Sequence, residues 1–143
     1  MDCSTCHAKY VDSMTDSTLL GYAHSQAGFD NCTDCHDVST LEEVHIDVMP
    51  DDTYVKVLRY EQAFCLGCHG SLESLAALTV DSIVLTDSNG TVVNPHDLPQ
   101  SDSHVSFKVN ECYNCHKMHK SYEAIDYCYG CHHKQVFECG TCH

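Results

Sequence analysis

Every cysteine in this chain belongs to a Cys-x-x-Cys-His unit, and there are six such units. They are CSTCH (Cys3, Cys6, His7), CTDCH (Cys32, Cys35, His36) and CLGCH (Cys65, Cys68, His69), then CYNCH (Cys112, Cys115, His116), CYGCH (Cys128, Cys131, His132) and CGTCH (Cys139, Cys142, His143). Together they use all 12 cysteines. The spacing suits covalent attachment of haem c. Two thiols three positions apart on one turn form thioethers with the two vinyl groups at a porphyrin edge. The next residue, His, then reaches the iron from one face. The expectation is six covalently bound haem c groups.

Other cysteine chemistries account for less. Zinc ribbons use paired CxxC units, but zinc needs no His after each second Cys. A secreted disulfide scaffold explains an even cysteine count, not the uniform spacing or the histidines. A thioredoxin-like redox pair needs one CxxC, not six.

The histidine count carries the second half of the reading. Of 12 histidines, six lie outside the motifs: His24, His45, His96, His104, His119 and His133. Six irons with two axial positions each need six ligands beyond the motif histidines. The inventory fits bis-histidine ligation with none left over, and such ligation implies low potentials. Met1, Met14, Met49 and Met118 are the rival ligands and read as packing or linker residues. With every iron six-coordinate, no position stays open for a small-molecule substrate. Electron transfer is therefore favoured over a reductase, and no residue is assigned as catalytic acid, base or nucleophile. His133 cannot fold back to the far face of the haem that His132 binds, so it should reach a neighbouring iron. His119, three residues after His116, should do the same and hold two haems at close range.

The elements that must position these groups are slight. In 143 residues the apolar fraction is 43%, cysteines included, with no Trp and four Phe. That is thin for a self-sufficient core. The first cysteines of successive motifs are 29, 33, 47, 16 and 11 residues apart, so no fixed repeat period exists. About two dozen residues per haem cannot surround each porphyrin, and the haems themselves should stack into the core. The fold class expected is mostly irregular, with short α-helices and a small β-hairpin wrapped on stacked haems. Helices are expected around 14–27, 56–65 and 71–78, and just after some motifs. SIVLTDSNGTVV (82–93) reads as a hairpin on a surface insertion, its β-branched runs flanking the turn formers Asp87, Ser88, Asn89 and Gly90.

Charge narrows the partners. Seven Lys plus Arg against 21 Asp plus Glu give a net charge of −14. This argues against a basic nucleic-acid face and against docking on anionic lipid. No apolar run reaches transmembrane length; SLAALTVDSIVL is broken by Asp81. MDCSTCH has neither a basic start nor an apolar segment, so the numbering is expected to begin near the mature terminus of an exported protein. Glu42, Glu43, Asp47, Asp51 and Asp52 could offer oxygen ligands to calcium, but a solvated acidic face is the plainer reading. Asn89-Gly90-Thr91 is a glycosylation sequon of low specificity.

From Phe29 to about His133 the chain resembles the small tetrahaem cytochromes and the related haem domains of multihaem c-type cytochromes. The matching pieces are FDNCTDCHD (29–37), FCLGCHGSLESLA (64–76), NPHDLPQSDSHVSFKVNECYNCHKMH (94–119) and CYGCHH (128–133). The resemblance implies that His96, His104 and His119 are distal ligands, with His24 upstream of the family's first motif. It covers about 70% of the chain. Two departures stand out: one haem motif is added at each end, and His45 and His133 lie outside the carried-over ligands. The expected organisation is a single hexahaem domain, 1–143, with a tetrahaem-like part at 29–133 and terminal haem extensions at 1–28 and 134–143. Haems at both ends would present apolar surface. Head-to-tail packing of copies would cover it and generate a filament, resembling the extracellular cytochrome filaments of microbes that respire insoluble acceptors. The expected partners are copies of the chain itself, redox proteins and extracellular acceptors. A monomeric periplasmic shuttle is the alternative.

Overall fold

In the computed structural model, which describes residues 3–49 and 57–138, short helices alternate with irregular chain. They are α1 (Ser4–Asp12), α2 (Leu20–Gln26), a 3₁₀ turn (Cys32–Asp34), α3 (Val38–Val44), α4 (Gln62–His69), α5 (Leu72–Leu78), α6 (Asp102–Ser106), α7 (Cys112–Cys115) and α8 (Ala124–Tyr129). The cysteine motifs sit on α1, the 3₁₀ turn, α4, α7 and the end of α8. Side-chain caps start several of the others. Asp37 accepts from Thr40 N in front of α3, Ser71 from Ser74 N in front of α5, and Ser101 from His104 N in front of α6.

The expectation at 71–78 holds, since α5 covers Leu72–Leu78. The helix expected over 14–27 is shorter. Asp16 Oδ1 accepts from Thr18 N at 2.9 Å and Thr18 Oγ1 at 2.7 Å, and this side-chain turn delays the helix to Leu20. The helix expected over 56–65 shifts toward the C-terminus. Its first residue is tied down from outside: Gln62 N donates to Glu111 Oε2 at 2.8 Å, and Gln62 Nε2 donates to Asn110 O at 2.8 Å.

The 82–93 segment departs most from expectation. Among the described residues its pairing is one isolated antiparallel bridge, Thr86 with Val92. It lies at the surface as expected, with Ile83, Val84 and Val92 between 50% and 75% exposed, but it is tied to distant chain. Asp87 Oδ1 accepts from Asn89 N and Thr91 N at 2.9 and 2.8 Å, while Oδ2 accepts from Phe137 N at 2.8 Å. Ser88 donates from both N and Oγ to Gln135 O, each at 2.9 Å. A buried carboxylate that satisfies three backbone donors reinforces the short pairing, where Asp87 N donates to Thr91 O at 2.9 Å and Val93 N to Leu85 O at 3.0 Å, and it fastens the turn to the chain beyond the fifth motif.

The apolar interior is minimal. Among the described residues Leu85, 1% exposed, is the one large apolar side chain that is buried. Leu78, Ile83, Val57 and Phe107 are between 71% and 81% exposed. Such a side-chain set holds no protein together by itself. The chain forms two compact units, Met1–Leu58 with Lys117–Ser121, and Arg59–His116 with Tyr122–His143. In the first, Gly21 N donates to Met118 O at 2.8 Å and so fixes the 117–121 segment on α2. In the second, α7 packs on both α4 and α8. No helix among the described residues is long and apolar enough to cross a membrane.

Candidate haem-binding sites

One backbone turn recurs at the motifs. The histidine N–H donates to the carbonyl of the first cysteine: His7 to Cys3 at 2.9 Å, His36 to Cys32 at 2.8 Å, His116 to Cys112 at 2.9 Å and His132 to Cys128 at 2.8 Å. The third motif lies wholly within α4. A single helical turn therefore carries both thiols and ends on the imidazole, the arrangement a thioether-bound porphyrin requires. At the first motif His7 leaves helical geometry (φ −118°, ψ 30°), which kinks α1 at the ligand. Cys139, Cys142 and His143 of the sixth motif lie outside the described residues, as do Met1 and the acidic Asp51 and Asp52.

Four motif histidines each face a histidine from outside the motifs. Ring centres are 5.9 Å apart for His7 and His45, 6.3 Å for His36 and His119, 6.1 Å for His96 and His116, and 6.1 Å for His104 and His132. Two imidazoles bound through Nε2 on opposite sides of one metal, at about 2.0 Å each, have centres roughly 6 Å apart. The spacing of each pair therefore fits one iron between its rings. Each pair lies within one compact unit: the first two in the N-terminal unit, the other two in the second.

The ring nitrogens point the same way. All six non-motif histidines have Nδ1 at an acceptor: His24 at Leu20 O (2.9 Å), His45 at Leu41 O (2.6 Å), His96 at Thr79 Oγ1 (3.0 Å), His104 at Pro99 O (2.7 Å), His119 at Ser13 Oγ (2.8 Å) and, at longer range, His133 at Cys131 O (3.4 Å). A carbonyl only accepts, so Nδ1 carries the proton there. Ser13 commits its own proton to Tyr10 O at 2.6 Å, and Thr79 has Leu75 O and Asn94 Oδ1 for its proton, so both hydroxyls accept from the imidazole. Nε2 is then left with its lone pair, as a metal ligand needs. Among the motif histidines His132 is held likewise, by Val136 O at 3.1 Å.

Burial reinforces neutral rings. It pushes the pKa of His36 below the usual range, helped by the neighbouring His7, and does the same to His119, helped by His36. His96 is lowered by burial alone. His116 presents much of its surface to solvent, yet the protein around its ring still lowers it, with His96 and His69 adding to the effect. Imidazoles reluctant to take protons are ready to take a metal.

The thiols come together in pairs from different motifs. The thiols of Cys3 and Cys32 lie close enough to influence each other, as do those of Cys65 and Cys112. A cavity of about 320 Å³ is lined by Cys3, Cys32, Val11, Asn31 and their neighbours. Burial, then the adjacent sulfur, raises the Cys32 thiol, and the same causes push Cys112 up to about 11. Burial also raises Cys128. Redox-active or nucleophilic cysteines show the opposite shift. No group of three or more Cys, His, Asp or Glu that could hold a bare metal ion occurs among the described residues.

Three contributors were invisible in the sequence. Tyr10 sets its ring edge-on to both His7 and His119, with centres 5.9 and 5.4 Å away. Ser13 and Thr79 hold His119 and His96. Nothing in their local sequence marks them, because their partners come from elsewhere in the chain. Met14 packs against Gly21, whereas Met49 is 68% exposed and Met118 sits at the border of exposure.

No curated protein and no solved structure matches the chain. Residues 23–133 match the model of the family described as cytochrome c3. That match spans the second to fifth motifs and agrees with the turns, facing imidazoles and sparse side-chain core described above. The chain belongs to the cytochrome c3 family, multihaem c-type cytochromes that carry covalently bound haem and transfer electrons.

Proposed function

We propose that the chain carries six haems c, all bis-histidine, and conducts electrons along them as the subunit of an extracellular filament. The observation that carries the electron-transfer reading is the set of four facing histidine pairs at 5.9–6.3 Å. In this reading all six histidines outside the motifs, His24 and His133 included, are distal ligands. Haem iron, when bound, supplies a reversible one-electron couple. The protein's part is to anchor, orient and space. The Cys pairs fix each porphyrin edge, and the Nδ1 bonds fix the ring that faces the motif histidine. With Cys3 near Cys32 and Cys65 near Cys112, haems attached there would be neighbours, first motif to second and third to fourth. With both axial positions taken, no iron is open to a substrate, and the chain is no enzyme in this reading.

Export accompanies membership of the family. The first and sixth motifs lie on either side of the family match at 23–133, and haems there would carry the iron chain outward toward neighbouring copies. The net charge of −14 favours the second reading, a dispersed periplasmic shuttle, because like charge keeps copies apart. Intact-mass spectrometry should find six haems on the polypeptide, with a low-spin oxidised spectrum. An unmodified mass would end the electron-transfer reading, and a high-spin component would reopen the reductase. Negative-stain imaging of native material should show rods; a single species of low mass would select the shuttle.

A further inference from the structure

The four facing pairs fall into two groups by ring angle. His36 with His119, and His96 with His116, have nearly parallel ring planes, at 17° and 9°. His7 with His45, and His104 with His132, are crossed at 88° and 67°. The groups also differ in what holds the non-motif ring. His119 and His96 donate to hydroxyls, Ser13 Oγ and Thr79 Oγ1. His45 and His104 donate to backbone carbonyls, Leu41 O and Pro99 O.

Ring angle bears on iron because the π system of an imidazole mixes mainly with the iron dπ orbital perpendicular to the ring plane. Two coplanar rings act on the same orbital and split the dπ pair in energy. Two crossed rings act on one orbital each and leave the pair nearly degenerate. Axial-ligand orientation, set by second-shell hydrogen bonds, is thus a means by which the protein tunes each haem.

Resting on the bis-histidine reading above, we propose that the chain builds two electronic classes of iron site, with Ser13 and Thr79 as the positioning residues that keep the ligand planes parallel at the second and fourth motifs. The first and fifth motifs provide the crossed class. Each compact unit then contains one characterised site of each kind. At a parallel site the orbital that exchanges the electron has a fixed direction across the porphyrin. At a crossed site that direction is free.

Ser13 is built for this task. It is 3% exposed, its proton is committed to Tyr10 O at 2.6 Å, and its lone pair meets His119 Nδ1. Tyr10 stands edge-on to the same imidazole at 88° and limits its rotation. Thr79 works through a comparable net: its hydroxyl lies 2.8 Å from Leu75 O and 2.9 Å from Asn94 Oδ1, and Asn94 Nδ2 is anchored on Ala76 O at 2.8 Å.

The test is low-temperature EPR of the oxidised, haem-loaded protein, with haem counted by intact mass. The wild type should show a rhombic low-spin signal and a strongly anisotropic one with a single large g value. Ser13→Ala and Thr79→Val should each remove one iron's worth of intensity from the rhombic signal without changing the haem count, and Ser13→Thr should restore it. Thr79 is only half-buried, so its variant serves if Ser13→Ala fails to accumulate. A wild-type spectrum of one class, or variants with intact rhombic intensity, overturns the proposal and leaves electron transfer standing. A haem-free mass overturns both.

Discussion

A histidine binds metal through one ring nitrogen, and the partner of the other decides which one is available. Here that choice is made six times by an acceptor at Nδ1, as at His45 with Leu41 O and His104 with Pro99 O. Residue types alone pointed to the candidate ligands, because a thiol pair followed by His has few other uses. The acceptors were not legible, since a carbonyl or a lone serine carries no signature of its own. His45→Ala should leave every haem attached but open one axial position, seen as a new high-spin component amounting to one iron. Acid should act on the same groups. Burial lowers the pKa of His36, His96, His116 and His119, so below the ordinary value of about 6.5 the unfolded chain binds more protons than the folded one. Their contribution to stability is complete above that pH and declines as the pH falls toward the lowered values. Iron on Nε2 competes with the proton and moves the loss to still lower pH. An acid titration followed in the Soret band should therefore stay flat through pH 7 and convert to high-spin only well below about 6.5.

At the scale of elements, the motif turn was the most predictable structure and the connecting helices the least. The turn is local: a histidine N–H meets a carbonyl four residues back, as His36 does with Cys32. The start of α4 answers instead to Glu111 and Asn110, some 48 residues away, which no local pattern could reveal. The same holds for 82–93, where the turn sequence was plain but the bond from Phe137 N to the Asp87 carboxylate was not. Gly21 shows how tightly one element can govern a ligand. A Cβ there would meet Met118 O at 3.0 Å and Met14 Sδ at 3.1 Å, one residue from His119. Gly21→Ala should cost about 1–3 kcal/mol through this crowding, although alanine is the better helix former. Chemical denaturation of the haem-loaded protein measures the cost, and the rhombic EPR intensity should fall with it.

For the whole molecule, composition foretold that side chains would not make the core, and one buried leucine among the described residues bears this out. Covalent porphyrin must then do most of the organising. Chain produced without the haem-attachment machinery should lose most far-UV circular dichroism and become protease-sensitive, whereas haem-loaded protein should resist. Charge makes a second expectation. With 21 acidic residues against seven basic ones, copies repel at low ionic strength. If apolar contacts join them, raising salt from about 10 mM toward about 1 M should lengthen the assemblies, because screening shortens the Debye length from roughly 30 to 3 Å. Light scattering across that range reads the effect, and an indifferent or dispersing response would favour the shuttle.

The sequence by itself determined the six CxxCH units, the covalent haem they call for and a histidine count that would suffice for six bis-histidine irons, because thioether spacing and ligand counting are local or compositional facts. Only the tertiary structure decided which histidine faces which, which nitrogen is left for metal, and at what angle the rings meet. Those outcomes depend on contacts such as Ser13 with His119, 106 residues apart, and a contact of that span is a property of the folded chain.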